Sequence, residues 1–210
     1  MAPLHPSLIR RIDRFRERGG RVLGIAGAPG AGKSTLARAV VDHFGAAAQL
    51  LPMDGFHLAN EELARLGRAD RKGAPNTFDV DGYLDALARV RQREHDVLVP
   101  RFHRDIEEPI AGAIRIAASA DLVVTEGNYL LLQDDRWALV AALLDESWML
   151  RPHDDVRRER LVGRHMDHGR STAAAQAWVL AVDEPNARLI AARSTTADLN
   201  IDPDNLDDLH

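Results

Sequence analysis

A nine-residue run near the start of the chain combines residue types that can hold a phosphate group. Glycines let a backbone turn tightly and point several N–H groups at one anion. A lysine ammonium and a serine hydroxyl at the end of such a turn can reach phosphate oxygens and a Mg²⁺ ion. The run fits the pattern G-x-x-x-x-G-K-[ST] at every fixed position and consists of Gly27, Ala28, Pro29, Gly30, Ala31, Gly32, Lys33, Ser34 and Thr35.

The segments beside this run predict a strand before it and a helix after it. Residues 22–26 are apolar, and residues 35–44 carry apolar side chains at helical spacing. The helix N-terminus adds partial positive charge where a phosphate would lie. The alternative is a Gly-rich turn that caps an ordinary helix. Of the 27 basic residues only Lys33 and Lys72 are lysines, and a lysine kept at this position in an Arg-rich chain favours the phosphate loop.

A second candidate is the acid of Asp54-Gly55-Phe56-His57, which follows a predicted strand over residues 49–53. Ligands of open α/β sheets lie beyond the carboxyl ends of the strands. A carboxylate there could accept the proton of an attacking hydroxyl group. Because Asp-Gly is also a common turn pair, spacing alone leaves base and turn equally open for Asp54. For His57 we favour a polar wall residue over a base.

A third candidate acid, Glu126, ends the apolar run that begins at Leu122. An acid at the end of a buried strand can hold Mg²⁺ directly or through water. We therefore predict that Ser34 and Glu126 form the metal site, with a surface glutamate as the alternative.

Arginines near the C-terminal third could stabilise a transferring phosphoryl group. Arg157, Arg160 and Arg164 share one face of a predicted helix, and Arg170 follows. A guanidinium fork suits phosphate oxygens. The alternative is a solvated basic face.

The other segments complete an α/β pattern of strands alternating with helices, which predicts one domain over residues 1–210. We expect a strand at 97–100 with His103 and Arg104 beyond its carboxyl end, a flap strand at 109–117 and a helix at 137–144. Further predicted elements are helices over 7–18, 58–66, from 79 onward and around 186–192, and strands at 148–150 and 198–201. Residues 202–210 form a predicted loose acidic tail.

Composition excludes several classes of function. The net charge of −5 gives no field that attracts nucleic acid or an anionic membrane, and no apolar run is long enough for a membrane span. Without cysteine there is no disulfide and no thiolate site. We expect a cytoplasmic protein. No apolar stripe is clearly surplus to the core, so a homodimer stays an open alternative.

The ordered motifs GAPGAGKST, MDGFH, RKGAPNTFD, VPRFHR, TEGNYLLL and RxxRLxxRHxxxGR resemble the P-loop kinases that include uridine kinase, phosphoribulokinase and type I pantothenate kinase. The chain is most similar to a nucleoside/nucleotide-kinase-like branch with some members described as sugar kinases. The resemblance implies a mainly parallel, roughly five-stranded P-loop NTPase sheet with helices on both faces and an Arg-bearing lid at about residues 153–172. It also implies ATP and Mg²⁺ and a small-molecule acceptor with a free hydroxyl.

The same resemblance implies roles for single residues. Asp54 matches the catalytic base and Glu126 the metal-organising acid, while Arg160, Arg164 and Arg170 match lid arginines that meet phosphates. Asp79 is similar to an acid that binds substrate hydroxyls in uridine kinase.

Two departures leave the acceptor open. Close relatives carry Phe-Asp-Arg where this chain has Phe102-His103-Arg104, and the signature that holds a pyrimidine is not cleanly present. Other classes fit less well. A GTPase would need Asn-Lys-x-Asp, and the chain has no Asn-Lys pair. A nucleotide-binding protein that has lost catalysis would not need Lys33, Ser34, Asp54 and Glu126 together.

Overall fold

Five short parallel strands form the centre of the computed structural model, which describes residues 3–205. The strands are β1 (Val22–Gly27), β2 (Ala48–Pro52), β5 (Leu122–Gly127), β6 (Glu146–Leu150) and β7 (Leu199–Ile201). The order is β2-β5-β1-β6-β7, and every neighbouring pair is parallel. This confirms the predicted P-loop NTPase sheet.

Helices cover both faces of the sheet because its central strands are apolar on both sides. The helices are α1 (Pro6–Glu17), α2 (Lys33–Phe44), α3 (Asn60–Arg65), α4 (Val80–Gln92), α5 (Asp154–Asp167), α6 (Thr172–Trp178) and α7 (Glu184–Arg193). In β1, Leu23 and Ile25 pack with α1 and α2, whereas Val22 and Ala26 pack with α4 and α7. Between residues 3 and 205 no helix combines the length and the apolar character that a membrane crossing needs.

The predicted strand at 97–100 is real but does not belong to the main sheet. It is the start of β3 (Val97–His103), which pairs antiparallel with β4 (Glu108–Ile116) in a separate hairpin. The physical reason is one-sided burial: Val97 and Val99 are buried while Leu98 is 60% exposed. The hairpin lies tightly on the turn after β2, since a Cβ on Gly55 would be 2.2 Å from the carbonyl oxygen of Pro100.

Two further predictions need correction. Residues 137–144 form no α-helix but two 3₁₀ turns, Asp135–Leu139 and Ala141–Leu143. Buried Trp137 anchors the first turn by donating to the carbonyl oxygen of Pro75 at 3.1 Å. The predicted loose tail is described only to residue 205, and its Asp204 accepts a 2.8 Å hydrogen bond. Residues 206–210 lie outside the described part.

Candidate active site

The carboxyl ends of three adjacent strands bring the main candidates together. The phosphate loop follows β1, Asp54 follows β2, and Glu126 lies near the end of β5. Because β5 runs between β1 and β2, Glu126 is in register with Ile25 on one side and Pro52 on the other. Asp54, Glu126, Lys33 and Ser34 line one cavity of about 400 Å³.

The backbone of the loop forms a cradle that only glycine permits. Gly30 has φ +80°, and a Cβ there would lie 2.7 Å from the carbonyl oxygen of Arg157. Gly32 has φ +93° and begins α2 without a side-chain cap. The first N–H groups of α2 are therefore free to bind an anion, and the loop fits a nucleotide phosphate.

The ammonium of Lys33 is buried against the loop and makes no ion pair within residues 3–205. Its Nζ donates to the carbonyl oxygen of Ala28 at 2.9 Å. Burial lowers the pKa of Lys33 to about 8, although Glu126 and Asp54 act in the opposite direction. A phosphate would supply the countercharge that this ammonium lacks.

Two side chains with oxygen atoms that could bind a metal ion, Ser34 and Glu126, meet in the cavity. The hydroxyl of Ser34 donates to Oε1 of Glu126 at 3.0 Å. Burial, with Asp54 nearby as a second cause, raises the pKa of Glu126 to about 6. A hydroxyl and a carboxylate suit Mg²⁺, which takes few protein ligands and completes its shell with phosphate oxygens and water. This donor set fits the ion, and no group of three or more His, Cys, Asp or Glu side chains in the described residues forms another metal site.

Asp54 lines the same cavity near Glu126 and remains accessible to a substrate. Its Oδ2 is 3.4 Å from Nη2 of Arg104, and its side chain is 33% exposed. The ring of His57 packs against Phe78 and Phe102, with centroids at 4.0 and 4.7 Å. Its Nδ1 is 2.8 Å from the backbone oxygen of Asp54, and burial lowers the pKa of His57. The packing of this ring against two aromatic side chains suits the wall role that we favour.

The predicted arginines divide into three groups. Arg164 and Arg170 line the cavity. Arg160 lies beside the loop, with Nη1 4.0 Å from the Cβ position of Gly32, and its Nη2 donates to Asp204 at 2.8 Å. Arg157 is buried and pairs with Glu184, so it has a structural role.

Two predicted substrate residues are not brought into this cavity. Asp79 is exposed and caps α4 by accepting from the backbone N–H of Gly82 at 2.9 Å. His103 pairs with Glu108 in the hairpin, whereas its neighbours Phe102 and Arg104 line the cavity. The structure therefore gives no support to substrate contacts by Asp79 or His103.

Sequence reasoning missed polar residues on the far wall. One of them directly follows β5 and the other four lie on or beside α5 and α7, so no common spacing marks them in the sequence. They are Asn128, His165, His168, Asp183 and Asn186.

The parallel sheet, the glycine cradle and the Lys33, Ser34 and Glu126 cluster define a P-loop kinase. The chain matches the model of the Phosphoribulokinase / Uridine kinase family over residues 22–208 and belongs to that family. As a member it is an ATP-dependent kinase that acts on a small molecule.

Similar proteins agree with this assignment. The uncharacterized protein YggC of Escherichia coli K12 is 35% identical over 186 residues, which cover 86% of this chain and 77% of YggC. The ATP-dependent kinase-like protein notR' of Aspergillus versicolor is 35% identical, covering 64% of this chain and 84% of its own. The crystal structure of a "putative fructose transport system kinase" from Silicibacter sp. TM1040 superposes with a TM-score of 0.82 at 37% identity, covering 93% of this chain and 95% of that one.

Proposed function

We propose that the protein transfers the γ-phosphoryl group of ATP to a hydroxyl group of a sugar, nucleoside or pantothenate-like acceptor. The observation that carries the proposal is the presence of Asp54 in the same cavity as Lys33, Ser34 and Glu126. The phosphate loop and the metal site alone would also serve a hydrolase; a partly exposed carboxylate beside them can accept the proton of an attacking hydroxyl, and the acceptor test below separates the two cases. The alternative is a nucleotide-binding regulatory protein or an NTP hydrolase.

Each residue has one task in this reaction. The loop from Gly27 to Thr35 and the ammonium of Lys33 bind the donor phosphates. Ser34 and Glu126 would hold Mg²⁺, which would supply positive charge to neutralise the donor phosphates. Asp54 accepts the proton of the acceptor hydroxyl as the new O–P bond forms and the bond to the β-phosphate oxygen breaks, leaving ADP.

The arginines supply positive charge around the transferred group. Arg164 and Arg104 line the same cavity, and burial together with the charge of Arg104 lowers the pKa of Arg164. Two guanidinium groups that face one cavity repel each other until an anion lies between them. Arg160 beside Gly32 fits contact with the donor phosphates. Movement of the lid over residues 153–172, where Arg160 and Arg164 lie, would exclude water, which an open site would allow to hydrolyse ATP.

The acceptor class is supported by the variety among similar proteins. A pantothenate kinase of Enterococcus faecalis is 29% identical over 132 residues. The Silicibacter structure is described as a "putative fructose transport system kinase". The compounds in these two names, pantothenate and fructose, have in common an alcohol group that could receive the phosphoryl group. We therefore propose the alcohol as the common feature and assign no single compound.

The test combines product detection with one substitution. The purified protein is incubated with ATP, Mg²⁺ and pooled nucleosides, sugars and pantothenate, and phosphorylated products are identified by mass. Asp54→Asn should lower kcat by about 10²- to 10⁴-fold, the usual contribution of a positioned base, and leave the Kd of a non-hydrolysable ATP analogue nearly unchanged.

The matched control is Asp42→Asn on the exposed side of α2, which should leave kcat and Kd unchanged. Full turnover by the Asp54→Asn protein would remove Asp54 from the role of base. ADP formation that ignores every acceptor would favour the hydrolase.

A further inference from the structure

The helical run after the lid contains a π turn at the wall of the cavity. Val179–Asp183 is π-helical and joins α6 to α7. In a π turn the hydrogen bonds run from residue i to i+5, so residues five apart lie on one side. Trp178 and Asp183 are five apart and both line the cavity that holds Asp54 and Lys33. A regular α-helix would turn one of them away.

Asp183 presents one free oxygen at this wall. Its side chain is only 9% exposed, and Oδ2 lies 2.9 Å from Nε2 of His165 on the lid helix. A carboxylate oxygen accepts, so Nε2 of His165 donates and fixes the orientation of the carboxyl group. No hydrogen bond to Oδ1 is formed within residues 3–205, so this oxygen can accept from a ligand.

Asn186 lies one helical turn further on and faces the same space. The residue is 7% exposed and lines the cavity. Its side-chain amide makes no hydrogen bond to any residue that the structure describes. The amide is not among the sealed polar atoms of the core, so it opens into the cavity, where its donors and its acceptor are available to a polar ligand.

We propose that Asp183 and Asn186 bind hydroxyl groups of the acceptor other than the one that is phosphorylated, with His165 as a positioning residue for Asp183. The proposal deepens the kinase function above and rests on it. It makes the acceptor a polyhydroxyl compound, such as a sugar or a sugar-containing molecule.

The surrounding charges favour neutral hydroxyls over ionic groups. An anionic group would meet the carboxylate of Asp183, and a cationic group would meet the guanidinium of Arg164, which interacts electrostatically with Asp183. A hydroxyl donates to the free oxygen of Asp183, and either donates to or accepts from the amide of Asn186. Arg170 stacks on Trp178 at 4.0 Å and covers a face of its indole ring, so polar contacts rather than ring stacking dominate at this end.

The first test measures binding, which does not depend on turnover. The whole protein, loaded with a non-hydrolysable ATP analogue and Mg²⁺, is titrated calorimetrically with D-fructose, D-ribose, D-glycerate and uridine. At least one should bind. Asp183→Asn and Asn186→Ala should each raise its Kd about tenfold or more, the effect of losing a hydrogen bond in a buried site, and leave the Kd of the analogue within about twofold.

The matched control is Asp134→Asn, which removes the same charge from an exposed ion pair with Arg193. It should not change acceptor binding. His165→Gln can still donate to Asp183 and should keep the wild-type Kd, whereas His165→Leu should raise it. If His165 had only a structural role and both variants kept the wild-type Tm, the two variants should have the same Kd for the acceptor.

The outcomes separate the two proposals. If none of the four compounds binds, or if Asp183→Asn leaves the Kd unchanged, the assignment of a polyhydroxyl site is overturned. If a compound binds in a manner that depends on Asp183 but no phosphorylated product forms with ATP, the site assignment survives and the proposed kinase reaction fails.

Discussion

The substitution Glu126→Gln should make the ligand-free protein more stable while it disables the metal site. Glu126 is 5% exposed, and burial raises its pKa from 4.5 to about 6. A carboxyl group whose pKa is raised by folding is favoured when protonated, so it costs stability once it ionises. Glutamine resembles the protonated form and can still accept the hydrogen bond from Ser34.

The magnitude follows from the difference between the two pKa values. A shift of about 1.5 units corresponds to about 2 kcal/mol at pH 7.5, where glutamate is ionised in both the folded and the unfolded states. Below pH 4.5 both states bind the proton and the difference vanishes. The stabilisation should therefore grow as pH rises through the window between 4.5 and about 6.

The assay is urea unfolding in EDTA, without nucleotide, at pH 7.5 and at pH 5. Glu126→Gln should raise the free energy of unfolding by about 2 kcal/mol at pH 7.5 and by less than about 1 kcal/mol at pH 5. In parallel, its kcat with Mg²⁺ should fall by at least about 100-fold. A variant that is less stable than wild type at pH 7.5, or equally stabilised at both pH values, would refute the reasoning from burial.

Two more predictions concern the loop. Because the pKa of Lys33 is lowered to about 8 and phosphate prefers the protonated ammonium, the affinity for an ATP analogue should fall as pH rises from 7 to 9. Lys33→Met should bind weakly at every pH, and a Kd that is flat in wild type would contradict the assignment. Gly30→Ala should cost about 1–3 kcal/mol of stability and lower the affinity for the ATP analogue. The new Cβ would lie 2.7 Å from the carbonyl oxygen of Arg157, and the backbone at this position has φ +80°. The control Gly163→Ala in α5, where nothing lies within 4 Å of the new Cβ, should stabilise the protein by about 0.5–1 kcal/mol; equal losses in both would argue against a strained loop.

The sheet was predictable because its strands carry a local signal that packing reinforces. The run that begins at Leu122 opens with three consecutive apolar residues, which indicates a central parallel strand, and the strand Leu122–Gly127 is buried at every position. The segment from Val97 has a similar composition but is buried on alternate residues. That difference depends on which neighbour covers each face, and four residues of sequence do not contain it.

The helix expected at 137–144 failed for a comparable reason. Its apolar spacing suits a helix, but Trp137 is held by the carbonyl of Pro75, a contact 62 residues away in sequence. Tertiary anchoring here overrides local helix preference.

The donor side of the site was predictable and the acceptor side was not. Phosphate binding depends on backbone N–H groups and a few fixed side chains, so its residues stay contiguous from Gly27 to Thr35. The far wall is built by a π turn and by an unpaired amide at Asn186. A π turn arises from the packing of one helix against another, and no spacing rule in the sequence reports it.

Burial lowers the pKa of Lys33 and raises the pKa of Glu126. These two shifts connect the stability of the protein to its activity. Lys33 and Glu126 lie in one cavity, yet Lys33 donates to a backbone carbonyl and Glu126 accepts from Ser34. Each therefore keeps part of its desolvation cost, as the pKa values of about 8 and about 6 indicate. Mg²⁺ would offset the cost at Glu126, and the donor phosphates would offset it at Lys33. The empty site is thus destabilising because its charges are arranged to bind a metal-bound nucleotide. A substitution that removes the destabilising charge should therefore also remove nucleotide or metal binding.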